Sequence, residues 1–95
     1  MTWLEFRLNG EKVNVARFPI TEVGDNSTVV LEVVNTAEGP VELQPSAITN
    51  ENVTLEQYPK SLQQGQSGIV SFHFNAPQDM RKPLETGITF REILG

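Results

Sequence analysis

Leu4-Glu5-Phe6-Arg7-Leu8-Asn9-Gly10-Glu11-Lys12-Val13-Asn14-Val15 is the stretch that decides the fold. Leu4, Phe6 and Leu8 alternate with Glu5 and Arg7, and Val13 and Val15 alternate with Lys12 and Asn14. Alternation with period two marks a half-buried strand. Between the two runs stands Asn9-Gly10, the pair best suited to the positive φ that a type I′ turn needs at both central positions. The register offers a second test. A two-residue turn sets Leu8 opposite Glu11, Phe6 opposite Val13 and Leu4 opposite Val15, so the apolar residues of both strands share one face. The same register sets Trp3 opposite Ala16.

Working outward, the same grammar continues. Phe18-Pro19-Ile20 leads into a polar turn at Gly24-Asp25-Asn26. Ser27 to Asn35 is the clearest strand, with Val29, Leu31 and Val33 on one face. Val30 and Val34 on the other face predict a central strand or a second covered side. Val41 and Leu43 alternate with Glu42 and Gln44 after the Glu38-Gly39-Pro40 turn, and Pro45 ends that run. Val53 and Leu55 alternate up to Tyr58-Pro59. Residues Gln63 to Gly68 form a loop, and Val70, Phe72 and Phe74 then alternate up to Ala76-Pro77. Gln78 to Leu84 has room for one helical turn, which Pro83 discourages from growing. Ile88 and Phe90 alternate with Thr89 and Arg91.

Seven or eight short strands at this spacing predict an all-β sandwich or barrel, and no segment carries a helical period. The expected core is Leu4, Phe6, Val13, Val15, Phe18, Val29, Leu31, Val33, Val41, Leu43, Val53, Leu55, Leu62, Val70, Phe72, Phe74, Ile88 and Phe90. Ninety-five residues form a single domain spanning the chain.

The features from Phe18 onward resemble intracellular immunoglobulin-like sandwiches of the major-sperm-protein and ASH type. The matching stretches are Phe18 to Gly24, Val29-Val30-Leu31-Glu32-Val33-Val34-Asn35 and Pro40-Val41-Glu42-Leu43. They continue with Leu62-Gln63-Gln64-Gly65-Gln66-Ser67 and with Val70 to Pro77. Two departures stand out: Gln64 occupies the place where the family usually has Pro, and the Asn9-Gly10 hairpin lies outside the pattern. The resemblance implies an immunoglobulin-like antiparallel sandwich that acts as a docking or structural unit without catalysis.

Composition narrows the function classes. With no cysteine, a disulfide scaffold, a zinc ribbon and a thiol nucleophile are all excluded. A net charge of −5 argues against a nucleic-acid backbone as the main partner. No apolar run is long enough to span a bilayer. Met1-Thr2-Trp3-Leu4-Glu5 has no basic segment followed by an apolar one, so no signal peptide is read there. Between Thr21 and Gln57 stand seven acids and no base, while the bases cluster before and after. That asymmetry suits a solvated acidic surface, or self-association in which the acidic middle of one copy meets the basic ends of another.

No constellation of catalytic residues stands out. His73, the single histidine, falls on the solvent face by parity, and one histidine without cysteine makes no usual zinc site. Ser27, Ser46, Ser61, Ser67 and Ser71 lie in no nucleophile elbow, and there is no phosphate-binding glycine loop. Gly24-Asp25-Asn26-Ser27 and Thr49-Asn50-Glu51-Asn52 come nearest to oxygen-ligand loops, but Asp and Asn are ordinary turn residues. Asn26-Ser27-Thr28 and Asn52-Val53-Thr54 fit the glycosylation sequon, which matters only in a secreted protein. The expectation is therefore no catalytic residue, no cofactor and no metal.

The candidate partner-binding residues are Trp3, Ile69, Ile93 and Leu94, apolar side chains on the polar side of their strands or at an end. A cluster containing Trp suggests a partner surface. Unpaired sandwich edges offer a second route; Lys12 and Arg7 are expected to protect the hairpin edge, and Ile88 to Leu94 to complete its own sheet or a neighbour's.

A strand almost at the start and an end just after the last strand read as a complete short gene product. A free-standing domain of this kind resembles the accessory proteins of tailed bacteriophage virions: capsid decoration, neck and tail subunits. The leading expectation is thus a structural protein of a virion or the cytoplasm, held in a larger assembly by contacts with itself or other proteins, with no membrane or nucleic-acid partner. The alternative is a cytoplasmic or periplasmic adaptor that binds a partner peptide or strand. A carbohydrate-binding sandwich lacks its aromatic platform, with one Trp and one Tyr.

Overall fold

The computed structural model describes residues 3–46, 50–88 and 90–95. Ten strand segments follow one another: β1 (Leu4–Leu8), β2 (Glu11–Val13), β3 (Val15–Phe18), β4 (Asn26–Asn35), β5 (Val41–Pro45), β6 (Val53–Gln57), β7 (Ser61–Leu62), β8 (Ser67–Asn75), β9 (Leu84–Gly87) and β10 (Phe90–Leu94). All pairing is antiparallel. A five-stranded sheet runs β2-β1-β4-β8-β6, a three-stranded sheet runs β10-β5-β7, and β3 pairs with β9 as a two-stranded ribbon. The class is all-β and sandwich-like, and no helix among the described residues is long and apolar enough to cross a membrane.

The hairpin forms as its turn chemistry dictates. Asn9 has φ 52° and Gly10 φ 83°, and Phe6 pairs with Val13 and Leu8 with Glu11. The expected Leu4–Val15 and Trp3–Ala16 pairs do not form. The chain bends at Asn14, and β3 leaves to pair with β9, setting Val15 opposite Gly87 and Ala16 opposite Thr86. The bend inverts parity, so Ala16 and Phe18 are fully buried while Val15 is only half-buried. The sequence carries the conflict itself: Val13 and Val15 are odd, Ala16 and Phe18 even, and one unbroken strand cannot bury both sets.

The core lies between the facing sheets. Leu31, Val33 and Val70 from the five-stranded sheet and Val41, Leu43 and Leu62 from the three-stranded one are almost wholly buried. Phe6 and Phe90 stack across the gap with ring centroids 5.9 Å apart, and Phe18 of the ribbon meets Phe74 at 5.4 Å. Val13, Leu55 and Ile88, expected in the core, pack against its margin. Ala37 and Ala76, too small to register as a pattern, are buried in it.

Two further expectations change. Leu84–Gly87 is a strand, and the 78–84 segment holds no helical turn, since Pro83 leads straight into β9. Ser67 and Gly68 belong to β8 because they pair with Val34 and Val33 of the long β4. Strand β4 is central as expected, yet Val30 is half exposed, so the outer face of this sheet stays open to solvent. Thr89, expected to alternate in the last strand, lies outside the described residues, as does Thr49.

One buried polar residue ties the loops at one end. Asn35 is 1% exposed. Its Nδ2 donates to Gly39 O at 2.9 Å and Leu62 O at 3.0 Å, and its Oδ1 accepts from Ala37 N at 2.8 Å. Its backbone accepts from Gly65 N and donates to Gln66 O. A buried amide is tolerated because each polar atom has a partner.

Candidate functional site: an apolar cleft where the sheets fork

The β3–β9 ribbon splits at Asn14 and Ile88, where Ile88 N still donates to Asn14 O at 3.3 Å. From that point β2 joins the five-stranded sheet and β10 the three-stranded one. Both are edge strands, and nothing pairs between them. Two twisted sheets that share one ribbon must diverge as their strands leave it. The result is a half-open cleft of about 290 Å³ lined by Leu4, Phe6, Val13, Ile88 and Phe90, with Lys12, Asn14 and Glu92 on its polar margin.

Glu92 faces inward, since Phe90 two residues earlier is buried and strand parity repeats every second residue. Its Oε1 accepts from Trp3 N at 2.6 Å and from Leu4 N at 2.9 Å. A carboxylate on the inner face is thereby satisfied, and it bridges the two sheets at the far end of the cleft. The carbonyl of Trp3 accepts from both Thr36 N and Thr36 Oγ1, each at 2.7 Å. An acid at an inward position of the alternation was the available signal for this bridge, and parity reading alone gave it no partner.

Of the four candidate docking residues, Trp3 lies at the Glu92 end of the cleft, and the other three are not part of its lining. Trp3 packs against the core margin beside Leu4, and Ile93 and Leu94 follow Glu92 on β10. Leu94, 48% exposed, pairs with Val41. Ile69, 46% exposed, stands opposite Glu32 on the outer face of the five-stranded sheet, on the other side of the molecule from Ile93. Of the two residues expected to guard the hairpin edge, only Lys12 lies on it: β1 is paired on both sides, so Arg7 is interior to its sheet. Arg7 Nε instead donates to Glu5 Oε2 at 2.6 Å.

The outer face of that sheet carries the histidine. His73 stands between Thr28 of β4 and Thr54 of β6. Its Nδ1 is 3.2 Å from Thr28 Oγ1 and 3.3 Å from Glu56 Oε1. The register shifts between Leu55 and Gln57, leaving Glu56 as the extra residue of a bulge, which re-aims its side chain. Among the described residues, no group of three His, Asp or Glu side chains can hold a metal ion. In the oxygen-rich loops Asp25 N closes a turn on Glu22 O, and Asn50 Oδ1 accepts from Asn52 N at 2.9 Å. The Asn50 side chain thus serves its own backbone, as turn residues do.

In comparisons with protein-family models, curated proteins and solved structures, the chain matches none.

Proposed function

We propose that this chain is a non-catalytic structural or docking protein built on an immunoglobulin-like sandwich, and that it acts through protein–protein contacts. The observation that carries the reading is the apolar cleft between two open strand edges, lined by Leu4, Phe6, Val13, Ile88 and Phe90. Open edges are surfaces that a protein must either blunt or use. Here β2 carries Glu11 and Lys12 as edge charges, while β10 offers five residues paired on one side. Trp3, whose backbone N–H is bound by the cleft residue Glu92, adjoins this cleft and would widen the contact.

A small rigid sandwich of this design suits an accessory subunit of a virion, in the manner of capsid decoration, neck or tail proteins. The cleft between strand edges also favours a second reading, an adaptor that receives a peptide or strand of one partner. Native mass of the protein isolated from its source, by light scattering and mass spectrometry, separates the two. A large symmetric particle supports the virion reading; a one-to-one complex supports the adaptor. Val13→Asp and Trp3→Ala should each weaken that association more than they lower the melting temperature. A monomer from source, or association indifferent to both variants, would overturn the proposal.

A further inference from the structure

A second surface lies away from the cleft, at the end of the molecule where β4 begins and β8 finishes. There the 19–25 turn and the segment after Asn75 run side by side: Gly24 N donates to Ala76 O and Ala76 N donates to Asp25 O, both at 3.0 Å. The turn is a ridge with two exposed apolar side chains, Ile20 at 60% and Val23 at 55%. These are the two most exposed large hydrophobic residues described, and a β-branched pair at a turn tip does nothing for the turn itself. Glu22 and Asp25 share the ridge, both exposed and with no ion pair to their side chains among the described residues.

The neighbouring segment has the opposite character. Gln78 to Leu84 curve around an open groove of about 520 Å³. Met80 and Leu84 supply its apolar part and rest on the core margin, while Arg81 and Lys82 are exposed on its rim with no ion pair among the described residues. Asp79 is the one acid of the groove; Glu85 just beyond is engaged by Arg17 at 3.8 Å.

We infer that this end of the molecule is a self-association surface, with the Ile20–Val23 ridge of one copy seated in the Met80–Leu84 groove of a second. Charge complementarity selects the occupant: an apolar ridge bearing the acids Glu22 and Asp25 matches an apolar groove in which the bases Arg81 and Lys82 outnumber the one acid, Asp79. Ridge and groove lie side by side in each copy, so a two-fold axis lets both contacts form at once, as an isologous interface requires. A second copy thus covers the exposed apolar residues and neutralises both charge pairs, and no foreign partner is needed for either. This surface is distinct from the cleft, so the two proposals stand or fall separately.

Sedimentation equilibrium tests it. Dimer should increase between about 10 and 500 µM protein and dissociate when salt rises from about 0.05 to 0.5 M, because exposed pairs are screened. The double variants Glu22→Lys/Asp25→Lys and Arg81→Glu/Lys82→Glu should each weaken self-association at least ~10-fold while leaving the melting temperature unchanged, since all four residues are exposed. Mixed together, the two variants should form a heterodimer, because each ridge then meets a groove of opposite sign. A wild-type monomer across that range would overturn the inference. So would a dimer that ignores either double variant, or a mixture that stays monomeric while both variants remain folded. Failure here would leave the effect of Val13→Asp on the cleft untouched.

Discussion

Replacing Asn35 by Ala removes the amide that holds three segments together. Its Nδ2 satisfies Gly39 O and Leu62 O, and its Oδ1 satisfies Ala37 N. The Leu62 and Ala37 contacts are buried, so their backbone groups would be stranded, at about 1–3 kcal/mol each. Gly39 O lies in a part-buried contact and can recover water. The expected loss is therefore about 2–6 kcal/mol, against a total of roughly 5–14 kcal/mol for a chain of this length. Urea unfolding, with a slope of about 1 kcal/mol per molar, should show the midpoint falling by about 2 M or more. Asn35→Asp sharpens the test. It keeps the acceptor for Ala37 but turns a buried carboxylate toward two carbonyl oxygens. Burial and those oxygens raise the folded-state pKa of the new carboxyl above its unfolded value. The neutral form is favoured, so the variant should be most stable below the unfolded value near 4 and lose stability as pH rises through the folded one. A midpoint within about 0.5 M of wild type for Asn35→Ala would refute the reasoning. A variant with Asp that gains stability on raising the pH from 4 to 7 would refute it too.

Four other outcomes follow from the same structure. Phe72→Ala, at a site 3% exposed between β4 and β6, should cost about 3–5 kcal/mol; a loss under about 1 kcal/mol in chemical denaturation would contradict its core role. Gly10→Val should destabilise by about 1–2 kcal/mol, because φ 83° is adverse to a β-branched side chain; an unchanged melting curve would rule out the turn. Gly68→Ala places a Cβ 2.9 Å from Cγ of the Pro59 ring and should cost about 1–3 kcal/mol, read by thermal unfolding; a stabilised variant would show that the Tyr58–Lys60 segment yields freely. Glu92→Ala removes the acceptor shared by Trp3 N and Leu4 N and should cost about 1.5–3 kcal/mol, with faster amide exchange at Leu4; unaltered exchange there would show that the bridge is not formed in solution.

Turn chemistry and side-chain parity are local properties, and they carried through. Asn9-Gly10 has the positive φ values its composition demands, and the register it sets holds as far as Val13. Val29, Leu31, Val33, Val70, Phe72 and Phe74 are buried where alternation puts them, because each strand has one inner face and one outer. Alternation is silent where it breaks. Asn14 bends the chain so that Ala16 and Phe18 turn inward, and the reason is β9, which lies seventy residues away and pairs with β3. Short strands such as β7 and β9 exist because a neighbouring strand offers hydrogen bonds, and a two- or four-residue run has no period of its own.

The candidate surfaces divide in the same way. The exposure of Ile69 follows from which face of its strand it occupies, which the sequence alone determines, whereas Leu94 shares the inward parity of Phe90 and is exposed because it ends its strand. The cleft, the Glu92 bridge to Trp3 and Leu4, and the meeting of the 19–25 turn with Ala76 depend on which strands lie beside which. That choice was made only in the tertiary structure. Pairing partners are set by the collective burial of both sheets, a sum over the whole chain that no single segment contains.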